Sequence, residues 1–229
     1  GRIDPAQVVA ALDAGTGITH LAVVHHETTT GRLNDVASLG RLCRERGIEL
    51  LVDAVSSFAG EPIDLEAWGV TACAATANKC LHGVPGAAFA IVRRVALARD
   101  DVPHRTLYLD LRAYCRAQDE GSTPFTQSVQ SFYALDEALR ELADEGGWQV
   151  RHATYRRLAG IVRDGAVALG IRALLPPAES SVVLSAYDLP AGIHYPTLHD
   201  RLKAAGFVIY AGQGSLAQSI FRISTMGAI

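Results

Sequence analysis

Lys79, Asp53 and Thr28 each follow directly, or within a few residues, on an apolar run, and bring an amine, a carboxylate and a hydroxyl. Of the 21 basic residues two are lysines, Lys79 and Lys203, and the rest are arginines. Arginine stays protonated, whereas a lysine amine can lose its proton and attack a carbonyl, so a lysine kept in an Arg-rich chain marks chemistry that Arg cannot do. The three positions are separated by 25 and 26 residues, each long enough for a crossover back to the same edge of a sheet. In open α/β sheets ligands bind beyond the carboxyl ends of the strands. Gly83-Val84-Pro85-Gly86, just after the amine, would let backbone approach a ligand closely.

This set meets the needs of pyridoxal 5'-phosphate, whose aldehyde takes an amine and whose pyridinium nitrogen takes a carboxylate. Lys79 and Asp53 are then the catalytic pair, and Thr28 supplies a hydroxyl near the ring oxygen. Each residue alone also has a plainer reading: a solvated loop lysine, an Asp that caps a turn, a threonine triplet that makes one. His25 and His26 have no partner at metal-ligand spacing and read as structural; no metal site is expected. Arg222, by its place in a terminal strand, would simply pair with a surface acid.

The elements that must position these groups follow from the pattern of apolar residues. Asp4-Pro5 opens a helix running to Gly15. Strands are expected over 18–25, 48–52, 70–75 and 87–92, with an amphipathic helix over 33–47. Continuously apolar strands alternating with helices make βαβ units and a buried parallel or mixed sheet. Helices are expected over 107–116, 127–143, 147–169 and 195–205, and strands over 181–186, 207–210 and 219–224, so a second, smaller α/β unit begins near residue 145.

The chain has 229 residues, 49% hydrophobic and 20% charged, with a net charge of −3 and a pI near 6.2. That balance argues against nucleic acid as a partner, and no apolar run reaches the roughly 20 residues of a membrane span. The opening residues resemble neither a signal nor a transit peptide. Cys43, Cys73, Cys80 and Cys115 show no CxxC spacing, which suits reduced thiols and a cytoplasmic protein.

Three strings carry a family resemblance: Val24-His25-His26-Glu27-Thr28-Thr29-Thr30-Gly31, Val52-Asp53-Ala54-Val55-Ser56-Ser57-Phe58, and Ala77-Asn78-Lys79-Cys80 with Gly83-Val84-Pro85-Gly86. Thr123-Pro124-Phe125-Thr126, Glu145-Gly146-Gly147 and Phe221-Arg222-Ile223 continue it. In this order they resemble the class V aminotransferases. The resemblance implies an α/β fold of the type I pyridoxal-phosphate transferases. A truncated large domain with a mixed, mostly parallel sheet would occupy residues 1–145, and a small C-terminal α/β domain residues 146–229.

It also implies that Lys79 holds the cofactor, Asp53 pairs with its ring nitrogen and Thr28 contacts its ring hydroxyl region. Asn78 would orient Lys79 or touch the phosphate, and Thr126 would reach the phosphate of the neighbouring subunit in a homodimer. Arg222 would grip the anionic end of a small substrate with its planar fork. The implied activity is amino transfer from an amino phosphonate or amino acid to pyruvate. The alternatives are an alanine- or serine-glyoxylate type aminotransferase and, in another class, a non-catalytic remnant or a partner-dependent subunit of a split enzyme. A cysteine desulfurase is disfavoured, because Cys80 directly after Lys79 is badly placed for a mobile nucleophile. Family members are longer at both ends, with roughly a hundred residues ahead of the counterpart of Gly1 that carry a phosphate cup and a stacking ring. They have Cys where this chain has His26.

Overall fold

Residues 2–99 and 101–227 are described by a computed structural model. Asp4 opens α1 (Pro5–Ala14) by accepting the Ala6 N–H at 2.9 Å, with Pro5 at the first helical position. β1 (His20–Val24) leads into a short antiparallel hairpin, β2 (His26–Glu27) and β3 (Arg32–Leu33), which folds the Thr28–Thr30 turn over the end of β1. The amphipathic helix α2 (Val36–Glu45) starts later than its pattern suggests, because Asp35 caps it by accepting the Ser38 N–H at 3.0 Å and Leu33 is spent in the hairpin.

β4 (Glu49–Asp53), β5 (Val70–Thr76) and β6 (Ala88–Val92) complete a four-stranded sheet in the order β1-β4-β5-β6. β1, β4 and β5 are parallel, and their register aligns Val24 with Asp53 and Asp53 with Ala74. β6 returns antiparallel to β5, since the residues between them are too few for a crossover. The sheet is therefore mixed and mostly parallel, and it delivers three carboxyl ends to one edge. Val23, Leu50, Val52, Val70 and Cys73 pack against Val36, Leu39 and Cys43 of α2 to make its core.

Short α3 (Arg94–Leu97) and α4 (Leu111–Asp119) follow, the latter displaced from the expected 107–116 because Asp110 caps it by accepting the Arg112 N–H at 3.0 Å. α5 (Val129–Asp144) and α6 (Trp148–Ala168) pack on each other. The second sheet has β7 (Leu184–Asp188), then α7 (Tyr195–Ala204), β8 (Tyr210–Ala211) and β9 (Ile220–Ser224), all antiparallel in the order β7-β9-β8. Of the strand expected over 207–210 only Tyr210 is in β8, where Tyr210 pairs with Arg222 and Ala211 with Phe221 of β9. Tyr187 and Phe221, stacked with ring centroids 5.6 Å apart, anchor this smaller core with Ile209 and Ala166.

Gly31 joins the two sheets. Its carbonyl accepts the Ser181 N–H at 2.8 Å, and at φ 78° a side chain there would put its Cβ 2.5 Å from the Leu184 carbonyl oxygen. Only glycine combines that left-handed backbone with so close an approach. Cys43, Cys73, Cys80 and Cys115 are free thiols. Among the described residues no helix is long and apolar enough to cross a membrane.

Candidate active site

Asp53 closes β4 at the edge where β1 and β5 also end. One carboxylate oxygen accepts the Val55 N–H at 2.9 Å, which fixes the side chain, and the other has no hydrogen bond among the described residues. The Asp53 carbonyl accepts the His25 N–H at 2.9 Å and so binds the end of β1 to the end of β4. Thr28 lies half-buried in the hairpin turn above that junction. Lys79 lies, also half-buried, on the turn that follows β5, and its amine has no hydrogen-bond partner among the described residues. Asn78 is drawn back toward β5, because its side-chain oxygen accepts the Thr76 hydroxyl at 2.8 Å.

Arg222 corrects the expectation of a surface ion pair. It is buried on β9, and its guanidinium donates to two backbone carbonyls, Ala211 at 2.8 Å through Nε and Thr28 at 2.8 Å through Nη1. The second sheet thus lays its one interior arginine against the Thr28 turn of the first, with Nη2 left without a partner among the described residues. Lys79, Asp53, Asn78, Thr28 and Arg222 all come to this edge. Thr126 does not join them within the chain: it is exposed in the loop before α5, with no hydrogen bond among the described residues.

His25 and His26, without a metal-ligand pattern, are both buried at the end of β1. His26 Nδ1 donates to the Ser56 carbonyl at 2.9 Å, so the ring proton sits there; Nε2 is buried and has no partner. Burial lowers the His26 pKa, and the nearby Lys79 charge adds to that. His25 bonds the Ser57 hydroxyl at 3.0 Å and meets Trp68 edge-on at 5.4 Å. Burial, aided by His26, lowers its pKa from 6.5 to about 4.

Between those two values the unfolded chain binds a proton that the folded chain refuses. Stability from this group is therefore full above about pH 6.5 and falls as the pH drops toward 4, by about 3 kcal/mol. Urea unfolding across that range should show the decline in the parent and a flatter curve for His25→Asn. Equal slopes in the two proteins would contradict it.

Two supports carry no signal in the strings read from sequence. Glu61, buried after β4, accepts from the Ser181 hydroxyl at 2.6 Å and from the Val182 N–H at 2.7 Å. Arg151, buried on α6, donates to both oxygens of Glu145 and to the Cys80 carbonyl. Arg151 lies six residues after Glu145, and the apolar pattern marks neither it nor Glu61.

The donor set suits a cofactor that offers an aldehyde and a basic ring nitrogen. The Lys79 amine, the second Asp53 oxygen and the orphaned His26 Nε2 are the unfilled valences at this edge, and the threonine turn and Arg222 stand over it. An unfilled buried polar atom of this kind is uncommon in a native fold and marks a place for a ligand group.

Known proteins resemble this chain in sequence and in fold. The Aminotransferase class-V family profile matches residues 1–165. The 2-aminoethylphosphonate–pyruvate transaminases of Aeromonas hydrophila and Syntrophobacter fumaroxidans are 43% and 41% identical to the chain over its whole length. The chain spans only 61% and 62% of those two relatives. Among solved structures, the alanine–glyoxylate aminotransferase of Nostoc sp. superposes with a TM-score of 0.91 at 28% identity, over 99% of this chain and 61% of that one. A subgroup IV aspartate aminotransferase from Thermus thermophilus gives 0.88 at 30%, over 100% and 63%. The architecture is that of the fold-type I pyridoxal-phosphate aminotransferases. With the family profile covering most of its length, the chain belongs to the class V aminotransferases.

Proposed function

We propose that this chain carries the lysine-bearing part of a pyridoxal-phosphate-dependent transaminase that moves the amino group of 2-aminoethylphosphonate to pyruvate, giving phosphonoacetaldehyde and alanine. The observation that carries it is the convergence of Lys79, Asp53, Thr28 and Arg222 at the carboxyl edge of the first sheet. The choice of substrate is supported by the names of the relatives at 43% and 41% identity.

When bound, the cofactor supplies a sink for the electron pair released as a substrate C–H bond breaks. The protein supplies the rest. Asp53, held by the Val55 N–H, keeps one oxygen for the ring nitrogen and favours its protonated form. Lys79 Nζ would hold the cofactor and, as a free amine, would be the base that moves the proton of the substrate C–H bond. Thr28 offers its hydroxyl to the ring oxygen, and Asn78 its amide to Lys79 or the phosphate. Arg222 presents Nη2 to the anionic end of the substrate, its direction set by the carbonyls of Thr28 and Ala211. In a homodimer Thr126, exposed ahead of α5, would face the partner's phosphate.

A second reading, amino transfer from alanine or serine to glyoxylate, is favoured by the backbone likeness to the Nostoc enzyme. Purified protein loaded with pyridoxal phosphate should form alanine from pyruvate with 2-aminoethylphosphonate as donor. Alanine or serine with glyoxylate should run at least about tenfold slower, the discrimination of one lost charged contact. Faster turnover of the glyoxylate pair would put the second reading first. No turnover of either pair, with cofactor bound, would leave the non-catalytic subunit as the answer.

A further inference from the structure

The turn that carries Lys79 closes on itself. The Gly83 N–H donates to the Ala77 carbonyl at 2.8 Å and the His82 N–H to the Lys79 carbonyl at 2.9 Å, with His82 forced to a φ of 65°. A non-glycine residue holds such a backbone only where its surroundings impose it. The imposing contacts come from the first turns of α6. Arg151, 2% exposed, donates Nη1–H to the Cys80 carbonyl at 2.7 Å. Its Nε and Nη2 donate to the two oxygens of Glu145 at 2.9 and 2.7 Å, so the fork is aimed before it reaches the turn. One helical turn on, the Tyr155 hydroxyl bonds His82 Nε2 and also accepts the Gly227 N–H at 3.4 Å, just past β9.

A buried guanidinium is expensive to desolvate, and simple packing at this point of α6 would need no charge. What the charge adds is direction. A planar fork, locked on two points by a carboxylate, holds a peptide carbonyl on the third, which a lysine cannot do. The carbonyl it holds belongs to the residue next to Lys79.

We propose that Arg151, aimed by Glu145, is a positioning residue that fixes the Cys80 carbonyl, one residue beyond Lys79, and thereby the direction of the Lys79 amine. The inference rests on reading Lys79 as the reactive amine. It makes the Glu145-Gly146-Gly147 segment part of the active-site support, although it lies outside the edge where the reacting groups stand.

The chain has two lysines, half-buried Lys79 and exposed Lys203, so the second is an internal reference for the first. Cofactor-free protein is acetylated briefly under native conditions, and the Lys79 to Lys203 ratio is read by peptide mass spectrometry. In the parent, Lys79 should react more slowly. In Arg151→Met the ratio should rise about tenfold as the turn is released, and in Arg151→Lys and Glu145→Gln by about threefold, since one or two of the directing bonds remain. An unchanged ratio in a cooperatively melting Arg151→Met protein would show that the arginine merely packs, and would overturn the proposal. Should that variant fail to fold, an unchanged ratio in both Arg151→Lys and Glu145→Gln overturns it equally. Reductive fixing of pyridoxal phosphate on the parent separates the two readings. Fixing on a residue other than Lys79 defeats the assignment of the amine, while the acetylation ratio still reports on the turn.

Discussion

Lys79→Ala should abolish covalent capture of pyridoxal phosphate, while Lys203→Ala should leave it intact. After incubation with the cofactor and reduction, the added mass should appear on the peptide containing Lys79 in the parent and in Lys203→Ala. Exposed Lys203 on α7 is a built-in measure of what an ordinary solvated amine does under the same conditions. Lys79 differs from it in being half-buried, with Asp53 and the Thr28 turn at the same sheet edge. The loss in Lys79→Ala should exceed about a hundredfold, because no neighbouring side chain can replace a nucleophile. Lys79→Arg should fail as completely, since a guanidinium keeps its proton. Asp53→Asn should weaken capture less, since the amide keeps the contact with Val55 and loses only the charge. Mass on Lys203 at the same level as Lys79, or persistent capture by Lys79→Ala, would remove the basis of the proposed function.

The parts of this site that sequence exposes are those with a local signature. β1, β4 and β5 are short apolar runs, and period and length alone place their ends, so Asp53 and Lys79 could be put at one edge without a structure. The hairpin β2–β3 escaped because two-residue strands have no period to read, and it is that hairpin which turns Thr28 toward Arg222. The reading of Arg222 from position alone went wrong for a related reason. Two backbone carbonyls, one of them 194 residues away, satisfy it, and backbone acceptors leave no mark in sequence. The capping aspartates 35 and 110 moved two helix starts inward, since a cap competes with the apolar pattern and wins over a few residues. Glu61 was invisible because its partners, Ser181 and Val182, lie 120 and 121 residues on.

Glu61→Ala should be among the most destabilising single changes in the chain. Glu61 Oε1 receives two hydrogen bonds, from the Ser181 hydroxyl at 2.6 Å and the Val182 N–H at 2.7 Å. Ser181 in turn accepts the Val183 N–H at 3.0 Å, so a single carboxylate closes a short relay that ties the end of the β4 loop to the entry of β7. His152 stands at the other oxygen, 3.5 Å from Oε2, while its Nδ1–H goes to the Gly60 carbonyl at 2.8 Å and its Nε2 accepts from Arg156. Removing the carboxylate leaves the Ser181 hydroxyl and the Val182 N–H without their acceptor. At the usual penalty for buried groups left unpaired, the loss is about 3 kcal/mol, or roughly a 6–12 °C fall in Tm for a chain of this size. Glu61→Gln keeps the oxygen that both donors use, so its loss should be below about 1 kcal/mol.

The pH dependence separates it from the histidine effect. Burial raises the Glu61 pKa against the pull of Ser181, Val182, His152 and Arg156. The folded chain then holds the proton more tightly than the unfolded one. The burden of ionising Glu61 is absent below the ordinary carboxylate range and grows as the pH rises through the raised folded value, the reverse of His25. Glu61→Gln should therefore gain on the parent as the pH is raised, while His25→Asn gains on it as the pH is lowered. Denaturant unfolding at several pH values, with amide exchange at Val182 as the local readout, tests both. A Glu61→Ala protein within about 0.5 kcal/mol of the parent, with Val182 still protected, would mean that this carboxylate does not hold the second sheet to the first.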